Sequence, residues 1–369
     1  MKRLALLLLC VLSLVACAQA PSYSDADQAL RHDIGEMLLV GFRGTEYSDT
    51  MHIVRDIKEY HIGGVILFEY DAPSHSRPRN IVSPDQLQRL CHSLQQIDNE
   101  TLLISIDQEG GKVNRLKEQY GFPHFASAQQ QARTDSIRFY ARLTAQTLHS
   151  MGINLNFAPC VDVNVNPDCP VIGRLQRSFS PSAQRVADCA SVWIEEQWNE
   201  GVISCLKHFP GHGSSQVDTH LGLADVSHTW KEEELLPYRH LIASATDPFM
   251  VMTTHVFNSR LDSRYPATLS QATLTGLLRD SLHFKGVIIT DDLAMGAMVQ
   301  EYPFEEIILN TILAGADMLC LSNNGKDYNA DLVPQTVELI FRLVKEGKIE
   351  ASRIHASAER IRELKKSIR

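Results

Sequence analysis

The sequence predicts an α/β protein, a single (β/α)8 TIM-type barrel followed by C-terminal helices. Eight short apolar segments of strand length alternate with segments of helical periodicity. Strands separated by helices pair in parallel through right-handed crossovers, and eight such units close a barrel. The 369 residues are enough for a barrel of about 250 residues with added helices. An open doubly wound sheet is the alternative, but no Gly-x-Gly-x-x-Gly sequence follows the first strand segment.

The first 33 residues differ in composition from the rest of the chain. Two basic residues precede an apolar run over 4–16, which is too short for a permanent membrane span. Residues 1–17 are therefore predicted to be an export signal, and the Leu-Val-Ala-Cys sequence that ends at Cys17 resembles a bacterial lipobox. Lipidation of Cys17 would be the only membrane contact and would place the protein in the bacterial cell envelope. Cleavage after Ala20 is the alternative, and the polar residues 18–33 are predicted to be a tether.

Residues 34–369 are predicted to form one barrel domain, because no repeat, linker or low-complexity tract interrupts them. The eight strand candidates are Met37–Phe42, Gly64–Phe68, Leu102–Ile106, Ile153–Pro159, Ile203–Leu206, Phe249–Thr253, Val287–Thr290 and Met318–Leu321. Helical spacing is clear over 86–94 and over 183–198. The tail over 334–369 holds two further helices, which a Gly-Lys-Ile sequence at 347–349 separates.

Composition excludes several classes of function. Apolar residues at 44% and charged residues at 21% are typical of a globular protein with a large core. A net charge of −9 without clusters of lysine and arginine argues against nucleic acid as a partner. The six cysteines after Cys17 form no CxxC pair and lie mostly in apolar runs, so they are predicted to pack in the core. No metal or cofactor is predicted, and the chain is expected to act as a monomer.

Polar side chains are concentrated where the predicted strands end. The densest group is 207–220, which follows the fifth strand and carries three histidines and an aspartate. Other strand ends contribute Asp107–Arg115, Asp162, Arg177, His255, Asp291 and Asp292. In barrel enzymes the reacting groups lie at the carboxyl ends of the strands, which is the pattern seen here. A single aspartate can instead cap the next helix, and Asp162 and Asp292 fit that role equally well.

Four ordered motifs are spread over residues 106–295 of the predicted barrel. They are IDQEGGKVNR at 106–115, NFAP at 156–159, KHFPGHG at 207–213 with DTH at 218–220, and GVIITDDLAM at 286–295. In this order they resemble the β-N-acetylglucosaminidase branch of the family-3 glycoside hydrolases, from about residue 34 to the C-terminus. The resemblance implies a carbohydrate substrate and a retaining mechanism through a covalent glycosyl-enzyme.

The resemblance also implies the catalytic residues. The family's nucleophile corresponds to Asp291, and its acid/base is a histidine, here His220, oriented by Asp218. Spacing alone cannot choose between Asp291 and Asp292, since adjacent strand residues point to opposite sides. An imidazole titrates near pH 6.5, so a histidine can serve as acid and then as base. A neighbouring carboxylate fixes its tautomer and favours the charged form.

The substrate-binding residues are likewise carried over from the resemblance. They are Asp107, Arg115, Arg177, Lys207 and His208. Three features depart from the family pattern: the loop between Gly173 and Arg177 is two residues longer, Thr219 replaces a serine, and the loop 69–80 is enlarged. The longer loop could place Arg177 differently from its counterpart in the family. The enlarged loop 69–80 predicts a different specificity for the leaving group.

Other functions remain open at this point. His208, His212, Asp218 and His220 are of the types that ligate metals, although no HExxH sequence occurs. Phosphate instead of water could resolve the covalent intermediate, since a histidine repels an incoming anion less than a carboxylate does. A β-glucosidase specificity and a non-catalytic binding lipoprotein are further alternatives. The predicted substrate is N-acetylglucosamine in peptidoglycan fragments, with chitin or host glycans as the other sources.

Overall fold

Eight parallel strands form a barrel in the computed structural model, which describes residues 24–368. The strands are β1 Leu38–Gly41, β2 Gly64–Leu67, β3 Leu103–Ile106, β4 Leu155–Asn156, β5 Ile203–Phe209, β6 Phe249–Thr253, β7 Ile288–Ile289 and β8 Leu319–Leu321. Their order in the sheet is β7-β6-β5-β4-β3-β2-β1-β8. A parallel bridge between Ile289 and Met318 joins β7 to the start of β8 and closes the barrel. The predicted fold class and all eight predicted strands are confirmed.

Helices surround this barrel. They are α1 Asp25–Glu36, α2 His52–Tyr60, α3 Pro84–Gln95, α4 Ala128–Arg133, α5 Ile137–Ser150, α6 Ala183–Asn199, α7 Leu236–Ser244, α8 Gly296–Val299, α9 Phe304–Ala314, α10 Leu332–Lys345 and α11 Ala351–Ser367. A π-helix at Ala272–Ser281 lies between β6 and β7. The two predicted tail helices are α10 and α11. Within residues 24–368, no helix combines the length and the apolar character that crossing a bilayer requires.

Helix α1 occupies part of the segment predicted to be a tether. The Ser24 side chain accepts a hydrogen bond from the Asp27 N–H at 3.2 Å, and two aspartates lie in the first turn. A serine cap and early negative charge both stabilise the start of a helix. Residues 25–33 are therefore helical, and Asp33 pairs with Arg362 of α11 at 2.7 Å. The predicted export signal and Cys17 lie outside the described residues.

The core consists of the barrel interior and the layer between strands and helices. Strand residues such as Leu39, Val65 and Ile104 are fully buried, as are Trp193 of α6 and Tyr238 of α7 on the outside of the sheet. Strands covered on both faces are mostly apolar, which explains why their sequences were recognisable. The carboxyl end of β5 is an exception, because it contains Lys207 and His208. The six described cysteines are buried and unpaired, as predicted.

Candidate active site

A cavity of about 320 Å³ opens at the carboxyl ends of the strands. Its lining includes Phe68, Glu69, Tyr70, Arg77, Asp107, Arg115, Phe157, His220, Met252, Asp291, Asp292, Met295, Ser322 and Asn324. The volume is at the lower end of the range for small-ligand sites. The structure therefore brings together four of the predicted site residues, Asp107, Arg115, His220 and Asp291, although they come from distant parts of the chain.

Asp291 follows β7 and presents its carboxylate to this cavity. The Asp292 N–H donates to Asp291 Oδ1 at 2.8 Å. Burial opposes ionisation of Asp291, but the neighbouring histidine rings, His255 first, and the Asp292 N–H hold its pKa below the usual value. An ionised carboxylate at the end of a barrel strand is a suitable nucleophile at neutral pH.

Asp292 is held differently from its neighbour. Its side chain accepts hydrogen bonds from the Ser322 N–H at 3.0 Å, the Ala294 N–H at 3.2 Å and the Ser322 hydroxyl. Burial raises its pKa. The side chain therefore ties the end of β7 to the residue after β8, which is a structural task.

His220 lies on the loop that follows β5. Its Nδ1 is 2.7 Å from Asp218 Oδ1, and its backbone N–H donates to the same oxygen at 2.8 Å. A carboxylate accepts only, so Nδ1 carries the proton and Nε2 is the ring nitrogen left for proton transfer. The side chain is 65% exposed and still lines the cavity with Asp291.

The loop of His220 rests on helix α8, which begins five residues after Asp291. The Ala297 N–H donates to the Thr219 carbonyl at 3.1 Å. The Gln300 side chain donates to the Leu221 carbonyl at 3.4 Å. A Cβ added to Gly296 would lie 2.5 Å from the His220 carbonyl oxygen, so the close approach requires glycine. One short segment thus carries Asp291 and supports the loop of His220.

Gly296→Ala is expected to displace this loop and lower kcat/KM of a reaction that Asp291 and His220 carry out together about ten- to a hundredfold, since small misplacements of reacting groups are costly. Gly222→Ala is the matched control, because its added methyl in the same loop would meet nothing closer than 3.9 Å. Steady-state kinetics and a thermal melt of both variants make the comparison. Equal activity in the two variants would show that the contact with α8 does not position His220.

A network of buried ion pairs supports Asp107 from behind. Lys207 Nζ lies 2.6 Å from Asp107 and 2.8 Å from Glu109, and Arg177 forms a bidentate pair with Glu109 at 2.8 and 2.9 Å. Burial opposes ionisation of Glu109, yet Arg177 and Lys207 lower its pKa to about 2. Lys207 and Arg177 are not among the cavity-lining residues, so they act on the site through the two carboxylates they bind.

His208 is also placed behind the cavity, where it bonds to Asp162. Arg177 Nη2 lies 3.2 Å from His208 Nε2 and can only donate, so Nε2 accepts. The proton is then on Nδ1, which donates to Asp162 at 2.6 Å. Asp162 also accepts from the His212 N–H at 2.7 Å. Asp162 therefore fixes the turn after β5 and is not a helix cap.

Cys160, Asp162 and His208 are the described residues of this region that could hold a metal ion, with ligand atoms within 4.8 Å of one another. Their ligand atoms are already used, since Cys160 Sγ donates to Asp162 at 3.2 Å and His208 Nδ1 donates to the same carboxylate. An ion would displace both hydrogen bonds and reverse the tautomer that Arg177 requires. The geometry therefore fits a hydrogen-bonded network better than a metal centre.

The longer loop before Arg177 does not move Arg177 out of the network. The Arg177 N–H donates to the Ile172 carbonyl at 3.1 Å, and the Gln176 N–H donates to the Gly173 carbonyl at 3.0 Å. Gln176 adopts a positive φ of 58°, which turns the chain sharply at this point. The additional residues are accommodated in this turn, so the guanidinium still reaches Glu109.

Several site residues were not predicted from the sequence. Glu109 lies inside the IDQEGG motif. Its role as an ion-pair partner could have been inferred, because buried Lys207 and Arg177 need carboxylate partners. Glu69 and Arg77 belong to the enlarged loop, which matches no motif.

His212 was also not predicted as a site residue. It is buried and bonds Thr219 at 3.2 Å, and burial lowers its pKa to about 4, so it stays neutral. The threonine that replaces serine thus keeps a hydroxyl for His212.

Comparisons with known proteins identify what this chain is similar to. The family model for the glycosyl hydrolase family 3 N terminal domain matches residues 29–364. Beta-hexosaminidase A of Pseudoalteromonas piscicida is 32% identical over 335 residues, which cover 84% of this chain and 54% of that protein. Beta-hexosaminidase LpqI of Mycobacterium tuberculosis is 30% identical over 367 residues, which cover 95% of this chain and 86% of the relative.

A solved structure is similar over most of the fold. The glycoside hydrolase family 3 β-N-acetylglucosaminidase of Paenibacillus sp. str. FPU-7 has a TM-score of 0.82 and 35% identity. The similarity covers 92% of this chain and 62% of that one. The chain thus spans little more than half of the Pseudoalteromonas protein and about three fifths of the Paenibacillus protein.

Proposed function

We propose that this chain, which belongs to glycosyl hydrolase family 3, is a retaining exo-β-N-acetylglucosaminidase that removes terminal, non-reducing β-linked N-acetylglucosamine. The observation that carries the proposal is that Asp291 and an Asp218-bound His220 line the same cavity. The relatives with the beta-hexosaminidase name support the substrate class. Asp107 and Arg115 line the same cavity and supply an acceptor and donors for sugar hydroxyls.

The other carboxyl groups in the cavity lining are already engaged. Glu69 binds Lys117 at 2.8 Å, Asp107 binds Lys207 at 2.6 Å, and Asp292 accepts from Ser322. Most retaining glycosidases use a second carboxylic acid as acid/base. Since these three are held by cations or a hydroxyl, the exposed imidazole of His220 is the group suited to that role.

The reaction has two steps. In the first, the Asp291 carboxylate attacks the anomeric carbon while His220 Nε2–H gives its proton to the departing oxygen, which leaves a glycosyl ester on Asp291. In the second, neutral His220 removes a proton from water, which attacks the same carbon and releases Asp291. Asp218 holds the ring orientation and stabilises the imidazolium in both steps.

The proposed natural substrates are peptidoglycan fragments that carry N-acetylglucosamine. The lipobox-like sequence at Cys17 supports an enzyme lipid-anchored in the bacterial cell envelope, where such fragments arise. The enzyme is further proposed to act as a monomer.

Purified protein is expected to release N-acetylglucosamine from its 4-nitrophenyl β-glycoside with the β configuration in the first product. The corresponding β-glucoside is expected to react at least about a hundredfold more slowly, because polar groups that bind the acetamido group would be left unpaired. Phosphate should leave the product unchanged. Preference for the glucoside, or formation of a sugar phosphate, would contradict the proposal.

A further inference from the structure

Three cations share a single carboxylate at the edge of the cavity. Glu69 lies 2.8 Å from Lys117, 3.8 Å from Arg115 and 4.0 Å from Arg77. We refer to these four residues as the cationic rim. Arg115 also contacts Asp107 at 3.4 Å, but Asp107 is bound more closely by Lys207. One carboxylate cannot satisfy three cations, so the rim has an excess of positive charge.

Arg77 is the most exposed member of the cationic rim that lines the cavity. Its guanidinium lies 5.5 Å over the ring of Tyr70, and Nη1 donates to the Tyr120 hydroxyl at 3.4 Å. A guanidinium has five N–H donors and binds carboxylates through two of them side by side. The aromatic contact fixes the plane of the group without using those donors. Arg77 is therefore preoriented to bind an anion.

The position of Arg77 relative to the floor of the cavity indicates which part of the substrate it would meet. Side-chain exposure rises from 2% at Lys207 to 17% at Asp107, 25% at Arg115 and 43% at Arg77. An exo-acting enzyme accepts the terminal sugar at the closed inner end. The rest of the substrate then extends outward, past the cationic rim.

We propose that the cationic rim is a subsite for a carboxylate on the leaving group, with Arg77 as its direct ligand. Acidic saccharide fragments are then bound better than neutral ones of the same shape. This inference rests on the proposed function and extends it, because it specifies the charge of the leaving group. Glu69 and Arg77 of the rim belong to the loop 69–80.

A pair of sulfur-linked, non-hydrolysable glycosides of N-acetylglucosamine tests the subsite. In one the leaving group carries a carboxylate, and in the other it carries the matching primary amide. Calorimetric titration of the full chain is expected to give about tenfold tighter binding of the carboxylate. The preference should weaken in high salt, since the rim is partly exposed.

Variants test whether Arg77 causes the preference for the carboxylate. Arg77→Gln is expected to bring the affinity ratio close to one, and Arg77→Lys to retain part of the preference. Arg185→Gln is the matched control, because Arg185 has the same 43% exposure but lies on α6, outside the cavity lining. It removes the same charge and should keep the wild-type ratio.

Two outcomes overturn the inference. They are equal binding of the two glycosides by the wild-type chain, and a preference that Arg77→Gln retains. Hydrolysis of the neutral 4-nitrophenyl glycoside is measured separately. Equal binding of the two glycosides with normal hydrolysis would therefore contradict only the carboxylate subsite. Failure of the wild-type chain to bind either glycoside removes both the subsite and the proposed function.

Discussion

Asp291→Ala is expected to abolish release of N-acetylglucosamine, with a loss in kcat on the order of 10⁵, as for removal of other catalytic nucleophiles. In the proposed mechanism this carboxylate forms the bond to the anomeric carbon, and the neighbouring Asp292 is held by Ser322. Initial rates with the 4-nitrophenyl glycoside measure the loss. Azide is expected to restore part of the turnover, because a small anion can occupy the vacated space and attack the sugar.

Asp291→Asn serves as the control for that result, because it keeps the volume of the side chain and removes only the charge. Both variants should fold with the wild-type circular dichroism spectrum. Asp292→Ala is expected to act differently, lowering thermal stability through the loss of its bonds to the Ser322 N–H and hydroxyl. Full activity in Asp291→Ala would remove this residue from the mechanism.

His220→Ala is expected to lower kcat/KM by about 10²- to 10⁴-fold for leaving groups that need a proton, which is the usual range for general acid catalysis. For aryl glycosides whose phenol is strongly acidic, kcat/KM should be nearly unchanged, because the first step then needs no proton. Their second step still lacks a base, so the variant should show a burst of phenol followed by slow turnover. A series of substituted phenyl glycosides measures this dependence.

His228→Ala is the matched control, since His228 is an exposed histidine outside the cavity lining. Asp218→Asn should resemble a milder form of His220→Ala, because the ring loses the carboxylate that orients its Nδ1–H. An equal loss for all leaving groups in His220→Ala would assign the histidine to binding or structure instead of proton transfer.

The fold was predictable because buried parallel strands and outer helices leave distinct local patterns. The barrel strands lie in mostly apolar segments, whose character does not depend on their partners. The start of α1 was missed, although Ser24 and Asp27 provide the usual signal for a helix N-terminus. Small polar residues favour both linkers and helix caps, so composition alone could not separate the two.

The site was only partly predictable because its support comes from contacts between distant residues. Lys207 meets Asp107 across 100 residues, and Arg177 meets Glu109 across 68. No local spacing records such pairs. The motifs identified the residues at the strand ends, but whether a side chain lines the cavity, as Asp107 does, or lies behind it, as Lys207 does, depends on the packed structure.

Trapping the glycosyl-enzyme would show whether the sugar becomes covalently bonded to Asp291. A 5-fluoro glycosyl fluoride of N-acetylglucosamine has a good leaving group and a slowed second step, so the ester should accumulate. Mass spectrometry of the digested protein is expected to show one added sugar on the peptide that contains Asp291. Turnover of the reagent with no adduct, or an adduct on another residue, would contradict the account.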